Sequence, residues 1–99
     1  MDIRIQSIHF DAAEKLQAFV QKKVGKLEKY CDEIRKVEVS LKVVKPETAK
    51  NKEAGIRVFV PNGDLYVEKV CDTFEESIDE GVDALEKQLQ KYKEKQRGK

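Results

Sequence analysis

Lysine supplies the clearest chemical pattern in this chain. Lys15, Lys22, Lys26 and Lys29 are spaced by seven, four and three residues, which at about 100° per residue keeps them within roughly 60° of one another on a helix. Lys23 lies nearer the apolar edge of the same segment, where its stem can pack while its ammonium reaches outward. A second row, Lys87, Lys91 and Lys95, repeats at i, i+4 and i+8, with Lys93 between its last two members. Such rows track phosphates: binding is driven by counterion release, is sensitive to salt and is largely indifferent to base sequence. RNA suits them well, because its irregular folds and wide minor groove are recognised by backbone and shape.

The formal net charge of +1 conceals this pattern. Residues 72 to 86 hold Asp72, Glu75, Glu76, Asp79, Glu80, Asp83 and Glu86 and no base, whereas residues 87 to 99 hold Lys87, Lys91, Lys93, Lys95, Arg97 and Lys99 against Glu94 alone. Acids at a helix start and bases at its end also complement the macrodipole, for about 0.3–1 kcal/mol each. That explains the acids as well as any function does. It explains the bases less well, since their row outruns one terminal turn and the first segment carries another.

Other chemistry is thin. The single histidine, His9, stands near Asp11 with no evident nucleophile, so a convergent catalytic set is missing and no enzyme activity is expected. Cys31 and Cys71 belong to no CxxC pair, which argues against a zinc site or a disulfide framework. Cys71 beside Asp72 reads as a small core residue near a helix start. Neither a metal nor a cofactor is expected.

The elements that carry these residues follow from apolar periodicity. Ile3, Ile5 and Ser7 alternate with Arg4 and Gln6 as a strand. Asp11 with Glu14 then forms a capping box. Leu16, Phe19, Val20, Val24, Leu27 and Tyr30 make one face of about four helical turns, with Gly25 weakening that helix without breaking it. Val37, Val39, Leu41 and Val43 alternate as a second strand, Lys45 to Glu53 is a polar loop, and Ile56, Val58 and Val60 mark a third strand. Asn62-Gly63 predicts a tight hairpin in which both residues tolerate positive φ, making Leu65 to Val70 the fourth strand, next to the third. Asp72 with Glu75, or Thr73 with Glu76, caps a second helix whose apolar face is Phe74, Ile78, Val82, Leu85, Leu89 and Tyr92.

The order β-α-β-β-β-α places two helices on one face of a four-stranded, partly antiparallel sheet, an α+β fold resembling double-stranded-RNA-binding domains. One domain is expected over residues 1–95, followed by a basic frayed tail over 96–99. Equal shares of hydrophobic and charged residues, 39% each, allow a modest core under an ionic surface. No run approaches the roughly 20 apolar residues that span a bilayer, and the N-terminus lacks a signal-peptide run, so a cytoplasmic protein without a membrane partner is expected. Phe59 shares a strand face with Arg57 and is placed on the sheet surface away from the helices, where an aromatic can either pair across strands or stack on a base. The stripe Ile78, Val82, Leu85, Leu89 and Tyr92 also satisfies a heptad pattern. It leaves open an interaction module dimerising through the C-terminal helix, although covering the sheet needs the same residues.

Two stretches resemble the ribosome hibernation-promoting factors, including the ribosome-associated translation inhibitors called protein Y. Phe19-Val-Gln-Lys-Lys-Val-Gly-Lys-Leu-Glu-Lys-Tyr30 is similar to that family's first helix, and Ile78-Asp-Glu-Gly-Val-Asp-Ala-Leu-Glu-Lys-Gln-Leu-Gln-Lys-Tyr-Lys-Glu-Lys95 to its closing helix. The resemblance implies a stress-response protein that inhibits translation. It would lodge in the messenger and transfer RNA channel of the small ribosomal subunit and contact ribosomal RNA there, with no small-molecule substrate and as a monomer off the ribosome. It further implies RNA-binding roles for Lys23, Lys26, Lys87, Lys91 and Lys93, to which Lys22, Lys29 and Lys95 are added because they extend the same stripes. The chain resembles the short members, without the extra domain by which long members pair ribosomes.

Overall fold

The structure, a computed structural model, describes residues 1–8, 10–44 and 50–97. Its elements run β1 (Asp2–Ile8), α1 (Glu14–Gly25), a 3₁₀ turn (Lys26–Lys29), β2 (Lys36–Val43), β3 (Lys52–Val60), β4 (Gly63–Cys71) and α2 (Phe74–Arg97). The expected order of elements is therefore present. His9 and residues 45–49 of the expected loop lie outside the described residues.

The strands lie in the sheet as they occur in the chain, β1-β2-β3-β4, with β1 parallel to β2 and the other two pairs antiparallel. Alternation divides every strand between two faces. One face carries Val37, Val39, Leu41, Ala54, Ile56, Val58, Val60 and Val67, all buried. Against it pack Val20 and Val24 of α1, Leu27 of the 3₁₀ turn, and Phe74, Ile78, Val82, Leu85 and Leu89 of α2. The heptad-like stripe of α2 is thus spent on the protein's own sheet. Cys31 and Cys71 are free and buried.

Local details depart from expectation in three places. Ala13, not Asp11, is the N-cap of α1, and no side chain caps it. Instead Phe10 stacks on Phe74 with ring centroids 5.1 Å apart, and the Gln17 amide donates to the Ala12 carbonyl at 3.0 Å. The first helix also changes type: its α segment stops at Gly25, the residue of low helix propensity, and the chain tightens into a 3₁₀ turn. The hairpin register pairs Val60 with Gly63, so Pro61 and Asn62 form the loop. Gly63 alone there takes a positive φ, +148°, while Asn62 does not.

The start of α2 is well anchored. Thr73 Oγ1 accepts from the Glu76 amide at 3.1 Å, so of the two expected boxes the Thr73 alternative supplies the cap. Asp72 instead accepts from the Lys50 amide at 2.9 Å. Ser77 Oγ, fully buried, donates to the Lys52 carbonyl at 2.6 Å and ties the helix to the first residue of β3.

Candidate nucleic-acid interface

The lysine rows inherit their direction from the core. Val20 and Val24 hold α1 against the sheet, so Lys22, midway between them, faces outward and is exposed. Lys26 and Lys29 belong to the 3₁₀ turn, where side chains three apart eclipse and stand about 6 Å from one another. The stripe therefore survives the change of helix type. On α2, Lys87 and Lys91 flank the buried Leu89 at two residues on either side, a spacing that turns both to the opposite side of the helix axis. Lys95 continues the row, and all three are exposed.

Lys93 and Lys23 stand apart. Lys93 follows Leu89 at i+4 and so points in nearly the same direction, yet it is exposed, because the packed core stops near Leu89 and Tyr92 and the last turns of α2 extend past it. It presents to a different side from Lys87 and Lys91. Lys23 is half-buried, its Nζ 3.1 Å from Asp79 Oδ1 and 5.5 Å from the centre of the Phe19 ring. Among the described residues, none of the other seven candidate lysines is held in an ion pair.

One contact fixes how the helices relate: the Lys23–Asp79 pair sets the end of α1 beside the second turn of α2, and the 3₁₀ turn that follows also lies against α2. Tyr92 packs on the core, and burial pushes its hydroxyl above its ordinary pKa, with the Glu33 carboxylate and Cys31 adding to the effect. The exposed acids Glu75, Glu76, Asp79, Glu80 and Asp83 occupy the first turns of α2, and the exposed Lys87, Lys91 and Lys95 its later turns.

Two further groupings were not legible as motifs. The Cys71 sulfur and the Glu76 and Glu80 carboxylates lie within 4.8 Å of one another. The thiol is directed at Glu80 Oε2 at 3.1 Å, and burial followed by that carboxylate pushes its pKa up, so it stays protonated and is a poor nucleophile. On the open face of the sheet, Lys36 Nζ sits 4.7 Å from the Phe59 ring centre and the Arg57 guanidinium 4.7 Å from that of Tyr66. Phe59 and Arg57 are therefore on the face expected of them. Beside Arg57 a groove of about 520 Å³ opens between β1 and β4. No heptad or motif signals it, because its residues come from all four strands.

Together these features define a small α+β domain whose helical layer presents two rows of exposed lysines. The profile of the family described as sigma 54 modulation protein / S30EA ribosomal protein matches residues 3–97. The chain belongs to this family. It is 33% identical over 95 residues to the ribosome hibernation promoting factor of Escherichia coli K12, covering 96% of each chain. It is 30% identical over 96 residues to that of Pseudomonas putida, covering 97% of this chain and 90% of the relative. Among solved structures, the Thermus thermophilus protein Y N-terminal domain superposes with a TM-score of 0.79 at 27% identity, over 93% of this chain and 99% of that one. The expected family and the expected fold are both borne out.

Proposed function

We propose that this protein is a ribosome hibernation factor that binds the small subunit in the messenger and transfer RNA channel and silences translation by occupying it. The reading rests on two rows of exposed lysines on the helical layer, Lys22, Lys26 and Lys29 with Lys87, Lys91 and Lys95, none of them held in an ion pair among the described residues. Rows of this kind meet ribosomal RNA backbone, and the exposed acids in the first turns of α2 disfavour phosphate there. Kinship with ribosome hibernation promoting factors supports the target. Occupancy needs no catalysis, no cofactor and no second subunit, and the burial of the α2 apolar stripe supports a monomer over dimerisation through that helix. Among the described residues no helix is long and apolar enough to cross a membrane.

The test is co-sedimentation with ribosomal subunits across a salt series, beside the Lys26→Glu, Lys87→Glu, Lys91→Glu variant. Salt-sensitive binding to the small subunit, lost in a variant that keeps its circular-dichroism spectrum, is expected. No binding by the unmodified protein at low salt, or undiminished binding by the variant, would overturn the proposal.

A further inference from the structure

The open face of the sheet carries a second grouping of polar side chains. Its strand register sets four residues in one row across the sheet: Arg4 on β1, Glu38 on β2, Arg57 on β3 and Tyr66 on β4. With Gln6 and Ser40 from the next row they line the groove of about 520 Å³, a volume within the range of small-ligand sites.

Gly55 shapes it. A Cβ there would lie 2.6 Å from the Tyr66 hydroxyl and 3.0 Å from Ser40 Oγ. Only a glycine lets the Tyr66 ring lie down diagonally over β3 instead of standing on β4. The phenol is held in that pose by its hydrogen bond to Glu68 at 3.0 Å and by the Arg57 guanidinium over its ring. The result is a guanidinium stacked over an aromatic ring at one wall, with Tyr66 still 43% exposed.

The charge order along the row selects the ligand. Glu38 is an acceptor standing between two guanidinium donors, Arg4 on the neighbouring strand to one side and Arg57 on the neighbouring strand to the other. Each guanidinium already has a carboxylate at its outer side, Asp2 for Arg4 and Asp64 for Arg57, while Glu38 is 3.6 Å from Lys36. A free anion would therefore meet Glu38 and guanidinium groups that are already neutralised. A planar ring with adjacent donors and acceptors fits better. Guanine is the base that offers this edge: its N1–H and N2–H can donate to one carboxylate, and its O6 and N7 can accept from an arginine. Its face can stack on a tyrosine or a guanidinium.

We propose that this groove binds an unpaired guanine base, stacked on Tyr66 and Arg57 and read by Glu38. The site stands on the groove alone and does not require the lysine surface on the opposite face. The same base can come from a free nucleotide or from single-stranded RNA.

Amide chemical shifts of the ¹⁵N-labelled protein, titrated with GMP, AMP, CMP and UMP, provide the test. Saturable shifts at Ser40, Gly55, Arg57 and Tyr66 are expected with GMP, with affinity at least about tenfold above the other three. Tyr66→Ala should abolish them. Gly55→Ala, which drives the Tyr66 ring off its seat, should do the same. Glu38→Gln should lower the preference for GMP while leaving weak binding. A uridine-rich RNA with one central guanine, run beside the same RNA with adenine there, separates the sources: tighter binding of the guanine RNA than of GMP points to RNA, and the reverse to a nucleotide. No saturable shift in the groove, equal affinity for all four nucleotides, or GMP binding unchanged in Tyr66→Ala would overturn the proposal.

Discussion

The ion pair between Lys23 and Asp79 ranks the candidate lysines in a way that can be measured. A lysine that meets a phosphate contributes about 0.7–0.9 to the slope of log K against log salt. Over a tenfold change in salt one such contact is therefore about 0.8 log unit, or roughly sixfold in affinity. Lys26 is exposed and held in no ion pair among the described residues, so Lys26→Gln should lower that slope by about 0.8, a loss of roughly sixfold in small-subunit affinity at about 0.1 M salt. Lys23 lies 3.1 Å from Asp79 with its side chain 29% exposed, and the pair is neutral before any RNA arrives. The double variant Lys23→Gln, Asp79→Asn should therefore bind within about twofold of the parent. Asp79→Asn alone uncovers the Lys23 ammonium and should tighten binding by up to about sixfold. Folding should be unaffected, since a partly exposed pair of this kind contributes only about 0–1 kcal/mol. Fluorescence anisotropy of the labelled protein with purified small subunits, across a salt series from about 0.05 to about 0.3 M, reads all three. If the double variant lost as much affinity as Lys26→Gln, Lys23 would be leaving Asp79 to contact phosphate and the ranking would be wrong.

Leu89 is fully buried where the core ends under α2, so Leu89→Ala should cost about 2–5 kcal/mol in urea unfolding. A loss under about 1 kcal/mol would mean that the end of α2 is not packed as described. Thr73→Ala removes the oxygen that caps the Glu76 amide and should cost about 0.5–2 kcal/mol, whereas Asp11→Ala, which removes no cap, should be nearly neutral. Comparing the two thermal midpoints decides between the expected and the observed capping. The Cys71 thiol, raised above its ordinary pKa by burial and by Glu80, should be alkylated by iodoacetamide at pH 8 more slowly than a free cysteine. Its rate should climb only above the ordinary thiol range, and Glu80→Gln should bring that climb to lower pH.

The fold was legible because its signals are local and redundant. Val37, Val39, Leu41 and Val43 could only be a one-sided strand, and Phe74 to Tyr92 repeat at helical spacing over several turns. Helix ends were less so. Asp11 with Glu14 satisfies the capping pattern, but the stacking of Phe10 on Phe74 decides the path of the chain there, and tertiary packing of this kind leaves no trace in a window of four residues. Lys23 was correctly seen at the apolar edge, while its partner Asp79 belongs to another helix, with three strands of chain between them, beyond the reach of periodicity. The groove on the open face was hidden for the same reason: Arg4, Glu38, Arg57 and Tyr66 become neighbours only through the register of three strand pairs.

The sheet order β1-β2-β3-β4 repeats the order of the chain, and this bears on how the protein is made. β2, β3 and β4 form by two successive antiparallel hairpins, each closed by a nearby loop, and only the parallel pairing of β1 with β2 must wait for the α1 crossover. Loop-closure entropy is thus met in small steps for three of the four strands, while the parallel β1–β2 pairing closes the longest of these loops. Docking of β1, and with it the seating of α1 and its lysines, is therefore the step expected to limit the rate at which the working surface is completed.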